Sequence, residues 1–383
     1  MMRLSRGPER RLLIQAVALA AMVWLGWEVV ANTAENLAQR NIASGFGFLW
    51  EPAGFDISQS LIPYDEGDSY ARAFLVGLLN TLVVAAIGIL LATVLGLVIG
   101  VARLSRNWLI RNLAAGYIEL LRNIPLLLQL FFWYFAVLRQ LPPPRDSVSL
   151  GAGAVLNNRG LYLPALETGA NGWPLYFALL IAVLAGFGVH HVMRAALPMQ
   201  RRSAALATGG IVFAGTLWLA ALGGAPIALE FPALRGLNFG GGVRILPEFV
   251  ALVLALALYT AAFIAEIVRA GLQSVEDGQI EAAYALGLRP RATLRFIVLP
   301  QALRLIVPPL TSQYLNLTKN SSLAVAIAYP DLVSVFAGTT LSQTEQAVEV
   351  LLITMAVYLL LSLLTALAMN IYNARMLALE ARA

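Results

Sequence analysis

Eight stretches of the chain are apolar for long enough to cross a bilayer, and this succession constrains the fold more than any other feature. They read as residues 12–30, 74–101, 116–138, 173–190, 204–222, 246–268, 303–328 and 350–372. A spanning helix needs about 20 apolar residues. Backbone groups in hydrocarbon must be satisfied within the segment, so each stretch is expected to be a helix. Composition agrees: 12% of the 383 residues are charged and 59% are hydrophobic, whereas a soluble domain carries roughly 25% charged residues. The expected fold is an all-α polytopic membrane protein with about eight transmembrane helices.

Orientation follows from the basic residues, 25 arginines and the single lysine Lys319. With the N-terminus inside, seventeen arginines fall in cytoplasmic segments and seven (Arg40, Arg72, Arg139, Arg145, Arg159, Arg235 and Arg244) in external ones. That bias places both termini in the cytoplasm. The first apolar stretch is longer than the roughly 7–15 residues of a signal-peptide core, so it reads as a retained span. Residues 32–71, acidic and holding Gly and Pro, read as an external loop, as do the Pro/Gly-rich stretches 139–173 and 223–246.

Several chemistries are excluded. The chain has no cysteine, which removes disulfides and thiolate metal sites. Its one lysine follows Thr318, so a phosphate-binding loop with a Gly-Lys pair is absent. His190 and His191 are adjacent, and neighbours on a helix point about 100° apart, which suits joint metal ligation poorly. No span pairs a nucleophile with a base. Neither a catalytic site nor a metal or cofactor site is expected, and the basic excess belongs to cytoplasmic loops rather than to nucleic-acid binding.

One span is out of character. Residues 311–322 read TSQYLNLTKNSS, and a lysine at the centre of a lone membrane helix costs about 2.5–3.5 kcal/mol. Such a run must face the bundle interior or water. Gln313, Asn316, Lys319, Asn320, Ser321 and Ser322 are therefore candidate pathway residues, against the plainer reading of a structural lysine with a partner. Pro308 and Pro309 free backbone groups near its start, which is tolerated only beside protein or water. In the third stretch Glu119 and Arg122 can pair at i,i+3, and Pro125 bends or breaks the helix. Gly96 and Gly100 have small-xxx-small spacing that permits close helix packing. Asn80 and Thr81 either line a cavity or serve structure.

Between spans six and seven lies EAAYALGLRPRATLRFIVLP, residues 281–300. Residues 281–288 are strong helix formers without a breaker before Gly287. Gly287 permits the stop and Pro290 follows it. Ala282 and Ala283 are small enough for another surface to approach, so a short exposed helix here suits a groove on a soluble protein. A surface-lying connector is the bland alternative.

The spacing carries a resemblance. Glu281-Ala282-Ala283, three residues, Gly287, nine residues, Ile297, one residue, then Leu299-Pro300 is similar to the signature of membrane permease subunits of ABC importers. GLLNTL (77–82), YIELLRNIPLLLQL (117–130), LGLRPRATLRFIVLPQALR (286–304) and LNLTKNSSLAVAI (315–327) resemble the polar amino-acid branch of that family. The likeness covers about 72–139 and 246–372.

The resemblance implies a type I ABC importer transmembrane domain in the bacterial inner membrane, transporting L-amino acids. It implies a second permease subunit, two cytoplasmic ATPases that carry ATP and magnesium, and a periplasmic amino-acid-binding protein. It also implies that Glu281, Ala282, Ala283 and Gly287 dock in a cleft of the ATPase, and that Leu317–Leu323 belongs to a pore-lining helix. Two departures stand out. Asn320-Ser321 replaces the acid that many relatives carry after the lysine. Residues 140–245 form an insert with two added spans, as in long permeases of general L-amino-acid importers, which usually work as heterodimers. The expected organisation is then 1–31 tail and first span, 32–71 periplasmic loop, 72–139 first core part, 140–245 insert, 246–372 second core part with a coupling loop at 269–303, and 373–383 tail. An ion- or proton-coupled secondary transporter is the rival reading; it explains span-seven polarity but gives the EAA stretch no task.

Overall fold

The computed structural model describes residues 8–39, 45–167 and 228–380. The expected fourth and fifth spans, with His190 and His191, lie outside the described residues. The chain folds as two compact units, one of Met1–Leu127 with Leu252–Ala383 and one of Leu128–Ala251.

The first unit is helical. Helix α1 (Pro8–Gln39) carries the first apolar stretch, with Leu13, Trp24 and Trp27 exposed. Helix α2 (Tyr70–Ala102) crosses without a break and is followed by α3 (Trp108–Asn123), whose N-cap Asn107 accepts N–H bonds from Leu109 (2.9 Å) and Ile110 (3.3 Å). The third stretch does not continue as one helix. Ile124 is extended (φ −91°, ψ 127°) because the residue before a proline is pushed out of the helical region, and Pro125 starts a new piece. Next come α4 (Pro247–Gln273), which begins in the second unit, then α5 (Asp277–Ala285), α6 (Leu299–Asn320) and α7 (Ala347–Glu380). Among the described residues four helical stretches are long and apolar enough to span, five if the pieces flanking Pro125 make one broken span. The seventh span starts earlier than expected, since helical structure is nearly continuous from Pro290 to Ile327.

Glycine sets the closest approach. A Cβ on Gly96 would lie 2.5 Å from Ile264 Cγ2, and one on Gly100 would lie 2.7 Å from the Ala265 carbonyl oxygen. The small-xxx-small spacing in α2 is thus the seat of α4.

Residues 45–69, read from sequence as loop, are built into the core. A 3₁₀ turn at Gly47–Trp50 and hydrogen bonds from Ala53 N–H to Asp68 O (2.7 Å) and from Tyr70 N–H to Glu51 O (3.1 Å) fix the segment. Phe48, Ala53 and Ile57 then pack with Ala73 and Val76 of α2 and with Leu332, Val335 and Phe336. Few of these contacts are local in sequence, so periodicity does not report them.

The second unit holds strands where Pro/Gly-rich loops were expected. Strands β1 (Val148–Gly151), β2 (Ala154–Asn157), β3 (Gly160–Leu163) and β8 (Val243–Ile245) form an antiparallel sheet in that order. Strands β4 (Ala165–Glu167) and β5 (Ala228–Glu230) pair, as do β6 (Ala233–Arg235) and β7 (Asn238–Gly240). Three- and four-residue strands bounded by glycine look like turns in a sequence. Pairing of Leu161 with Ile245 and of Leu166 with Leu229 brings together the two segments that flank residues 168–227.

Candidate coupling helix and polar path

Helix α5 begins a turn earlier than the sequence suggests and stops as expected. Gly287 N–H donates to Tyr284 O (2.9 Å) and Leu288 N–H to Ala283 O (3.1 Å). Those are the paired bonds of a Schellman stop, which needs a left-handed residue after the cap. Gly287 supplies it with φ +78°. A Cβ there would meet nothing within 4 Å, so the glycine serves the turn and also leaves its outer surface bare. Glu281, Ala282 and Gly287 are exposed, whereas Ala283 is 3% exposed and turned inward. Tyr284 and Leu286, which sequence reasoning passed over, stand out at 50% and 82% exposure. Their signal was an aromatic and a leucine in a loop otherwise held out of lipid by arginines. Apolar groups left in water beside small residues make a surface that suits a partner.

The two spans flanking α5 touch near its ends. A Cβ on Gly271 of α4 would lie 2.3 Å from Ile306 Cγ1 and 3.3 Å from the Ala302 carbonyl oxygen, both on α6. The helices before and after α5 are thus in direct contact at Gly271 and Ile306. Gly271→Leu is expected to wedge this contact, cost about 1–3 kcal/mol and lower ATP-driven uptake. A melting curve and an uptake assay on the same preparation check both effects.

Along α6 and the 3₁₀ segment Ser321–Ile327 that follows it, Asn316 and Lys319 are exposed, Gln313, Asn320 and Ser322 are half-buried, and Ser321 is buried. Ser321 Oγ donates to Thr318 O (2.7 Å) and Ser322 Oγ to Lys319 O (2.7 Å). The candidates thus divide: Asn316 and Lys319 present side chains outward, and Ser321 turns inward. Lys319 and Ser322 line a groove of about 450 Å³ with Val333, Tyr358, Leu359 and Ser362. Among the described residues Lys319 forms no ion pair, so the reading of a lysine held by a carboxylate finds no partner here. Arg122 likewise leaves Glu119; its guanidinium lies over the Phe263 ring, 5.1 Å from the centroid.

Asn80 and Thr81 are fully buried and structural. Asn80 Nδ2 donates to the carbonyls of Pro330 (2.8 Å) and Gln59 (2.9 Å), and Thr81 Oγ1 accepts from Leu332 N–H (3.0 Å). Gly77 lets this turn approach, since a Cβ there would sit 3.0 Å from Leu332 Cα. The GLLNTL run is thereby a clasp on the turn that follows α6. Within that turn sits a carboxyl the sequence reading missed, Asp331, fully buried between two spans. Its Oδ1 accepts from Ser334 N–H (2.8 Å) and its Oδ2 from Tyr358 Oη (3.5 Å).

Burial pushes the Asp331 carboxyl up to about 7, against the lowering effect of the Ser334 and Val333 N–H groups. The folded chain therefore favours the protonated acid. That stability is full below the ordinary carboxylate value of about 3.9 and is lost as pH rises through about 7. Asp331→Asn should melt above the parent protein at pH 8, with the gap closing toward pH 5.

These elements define a helical protein with several helices long enough to span a membrane, packed through glycine, with one polar helix and a short exposed helix between two of them. Known proteins agree. Residues 245–378 match the model of the binding-protein-dependent transport system inner membrane component. The chain is 52% identical over 376 residues (97% of this chain, 95% of the relative) to the putative amino-acid ABC transporter permease protein YhdX of Escherichia coli. It is 49% identical over 375 residues (97% and 93%) to the general L-amino acid transport system permease protein AapQ of Rhizobium johnstonii. A crystal structure of an amino acid ABC transporter with histidines aligns at 23% identity and a TM-score of 0.48, covering 80% of this chain and 95% of that one. The chain belongs to the family of amino-acid ABC transporter permeases, and it is a permease subunit of an amino-acid importer.

Proposed function

We propose that this chain forms one half of the translocation pathway of a bacterial inner-membrane importer for a broad range of L-amino acids. The other half is a second, paralogous permease. ATP and magnesium are held by two separate cytoplasmic ATPase subunits, and a periplasmic amino-acid-binding protein delivers the substrate. Breadth of substrate is supported by the likeness to a general L-amino acid permease.

One observation carries the reading: α5 is exposed, stopped by a left-handed glycine with open space around it, and joined to α4 and α6, which touch at Gly271 and Ile306. ATPase closure on Glu281, Ala282 and Gly287 then moves both helices and alternates access to the groove beside Lys319. Nothing among the comparisons favours ion- or proton-coupled transport. The test is uptake of labelled L-amino acids into proteoliposomes holding both permeases and the ATPase. Uptake should require ATP and the binding protein; uptake driven by an ion gradient alone would overturn the reading.

A further inference from the structure

The second unit carries a basic surface that the transport reading leaves without a task. Five of the seven arginines assigned to the outside, Arg139, Arg145, Arg159, Arg235 and Arg244, belong to it. The short strands bring three of them into one neighbourhood. Arg244 Nε donates to the Arg159 carbonyl (3.1 Å), and Arg159 in turn donates to the Asn238 side chain. Asn238 is the register partner of Arg235 across the β6–β7 hairpin. Arg235 folds back over Gly240, where a Cβ would sit 3.0 Å from Arg235 Cδ. All three arginines are exposed, and among the described residues none forms an ion pair.

Leu237 stands at the hairpin tip at 67% exposure, with Leu234 exposed at 46% on the same hairpin. Exposed guanidinium groups held in fixed positions beside apolar side chains match what protein interfaces select; arginine is enriched there and lysine depleted. A hairpin tip is projecting rather than concave, which argues against a small-molecule pocket. A positive face calls for an acidic partner surface.

We propose that the face formed by the β6–β7 hairpin with Arg159 and Arg244 docks an acidic surface of a soluble protein outside the membrane. Resting on the importer reading above, the occupant is the soluble protein that delivers the amino acid. Fixed charges of this kind steer encounter and set register. They would add a contact beyond the mouth of the pathway.

The complete transporter in proteoliposomes tests this. ATP hydrolysis is followed as the purified amino-acid-binding protein is titrated, at low and high salt, for the parent and for Arg159→Glu with Arg244→Glu. The expected result is an about tenfold rise in the concentration needed for half-maximal stimulation, a weaker salt dependence, and unchanged basal hydrolysis. Arg159→Lys with Arg244→Lys should restore most of the binding, separating charge from folding. Arg145→Glu, next to the opposite edge strand β1, should change little. An unaltered titration in the charge-reversed variant would overturn the proposal while leaving the importer reading intact. So would loss of binding only to vesicles containing phosphatidylglycerol, which would assign the face to lipid. If no binding protein stimulates the parent transporter, the importer reading itself fails.

Discussion

Replacing Gly287 with valine is expected to cut ATP-driven uptake at least tenfold and to release the ATPase during purification. The reason is conformational before it is steric. Gly287 sits at φ +78°, a region that costs a residue with a Cβ about 1–2 kcal/mol, and most for a β-branched one. That is enough to shift the Schellman stop toward open forms by a factor of roughly 5–30. The side chain would also project into the open space beside α5, since no atom of this chain stands within 4 Å. Gly287→Asn separates the two effects. Asparagine tolerates the left-handed turn but adds bulk, so loss in both variants assigns the glycine to close approach, and loss in valine alone assigns it to the turn. A valine variant that co-purifies with a fully coupled ATPase contradicts the account.

Lys319→Ala should leave folding intact and reduce uptake about tenfold, most for substrates with a carboxylate side chain. The side chain is exposed, and surface changes of this kind stay within about 0.5 kcal/mol of stability. Its ammonium, however, is the charged member of a groove whose size of about 450 Å³ suits a small ligand. Asn316 is exposed one turn before it, and Tyr358 and Ser362 lie across the groove. One positive charge beside such a groove attracts an amino acid's carboxylate. Lys319→Arg keeps that charge and should keep most activity. Wild-type rates for every substrate in Lys319→Ala would remove the lysine from the transport step.

How legible each part was depended on whether its cause is local. The four long apolar helices among the described residues and the short helix α5 could be read because a run of apolar residues, or a glycine at a helix stop, acts through near neighbours. Pro125 announced a disturbance for the same reason, although not that Ile124 would end the helix outright. The clasp of Asn80 and Thr81 on residues 330–332 joins positions some 250 apart, so cavity and structure looked alike in the sequence. Asp331 was overlooked because a single acid after Tyr329-Pro330 reads as a loop residue until Phe48, Ala73 and Phe336 close around that turn. Among the candidate pathway residues, helical phase sorts exposed Asn316 and Lys319 from buried Ser321, a distinction that the polar run alone does not make. Ala283 is similar: it belongs to the EAA signature yet faces the chain itself.

The central claim is that force applied at α5 alters access to the groove on α6. The chain contains no cysteine, so two exposed positions can be labelled without background from this chain. In the reconstituted transporter, Ala282→Cys reports contact with the ATPase by cross-linking, and Asn316→Cys reports access from outside through an impermeant thiol reagent. The account predicts that Ala282→Cys cross-links to the ATPase and that Asn316→Cys changes its labelling rate when ATP hydrolysis is arrested. It also predicts that Gly287→Val abolishes both responses. Labelling at Asn316→Cys that ignores the state of the ATPase, in a transporter that still takes up amino acids, would contradict it.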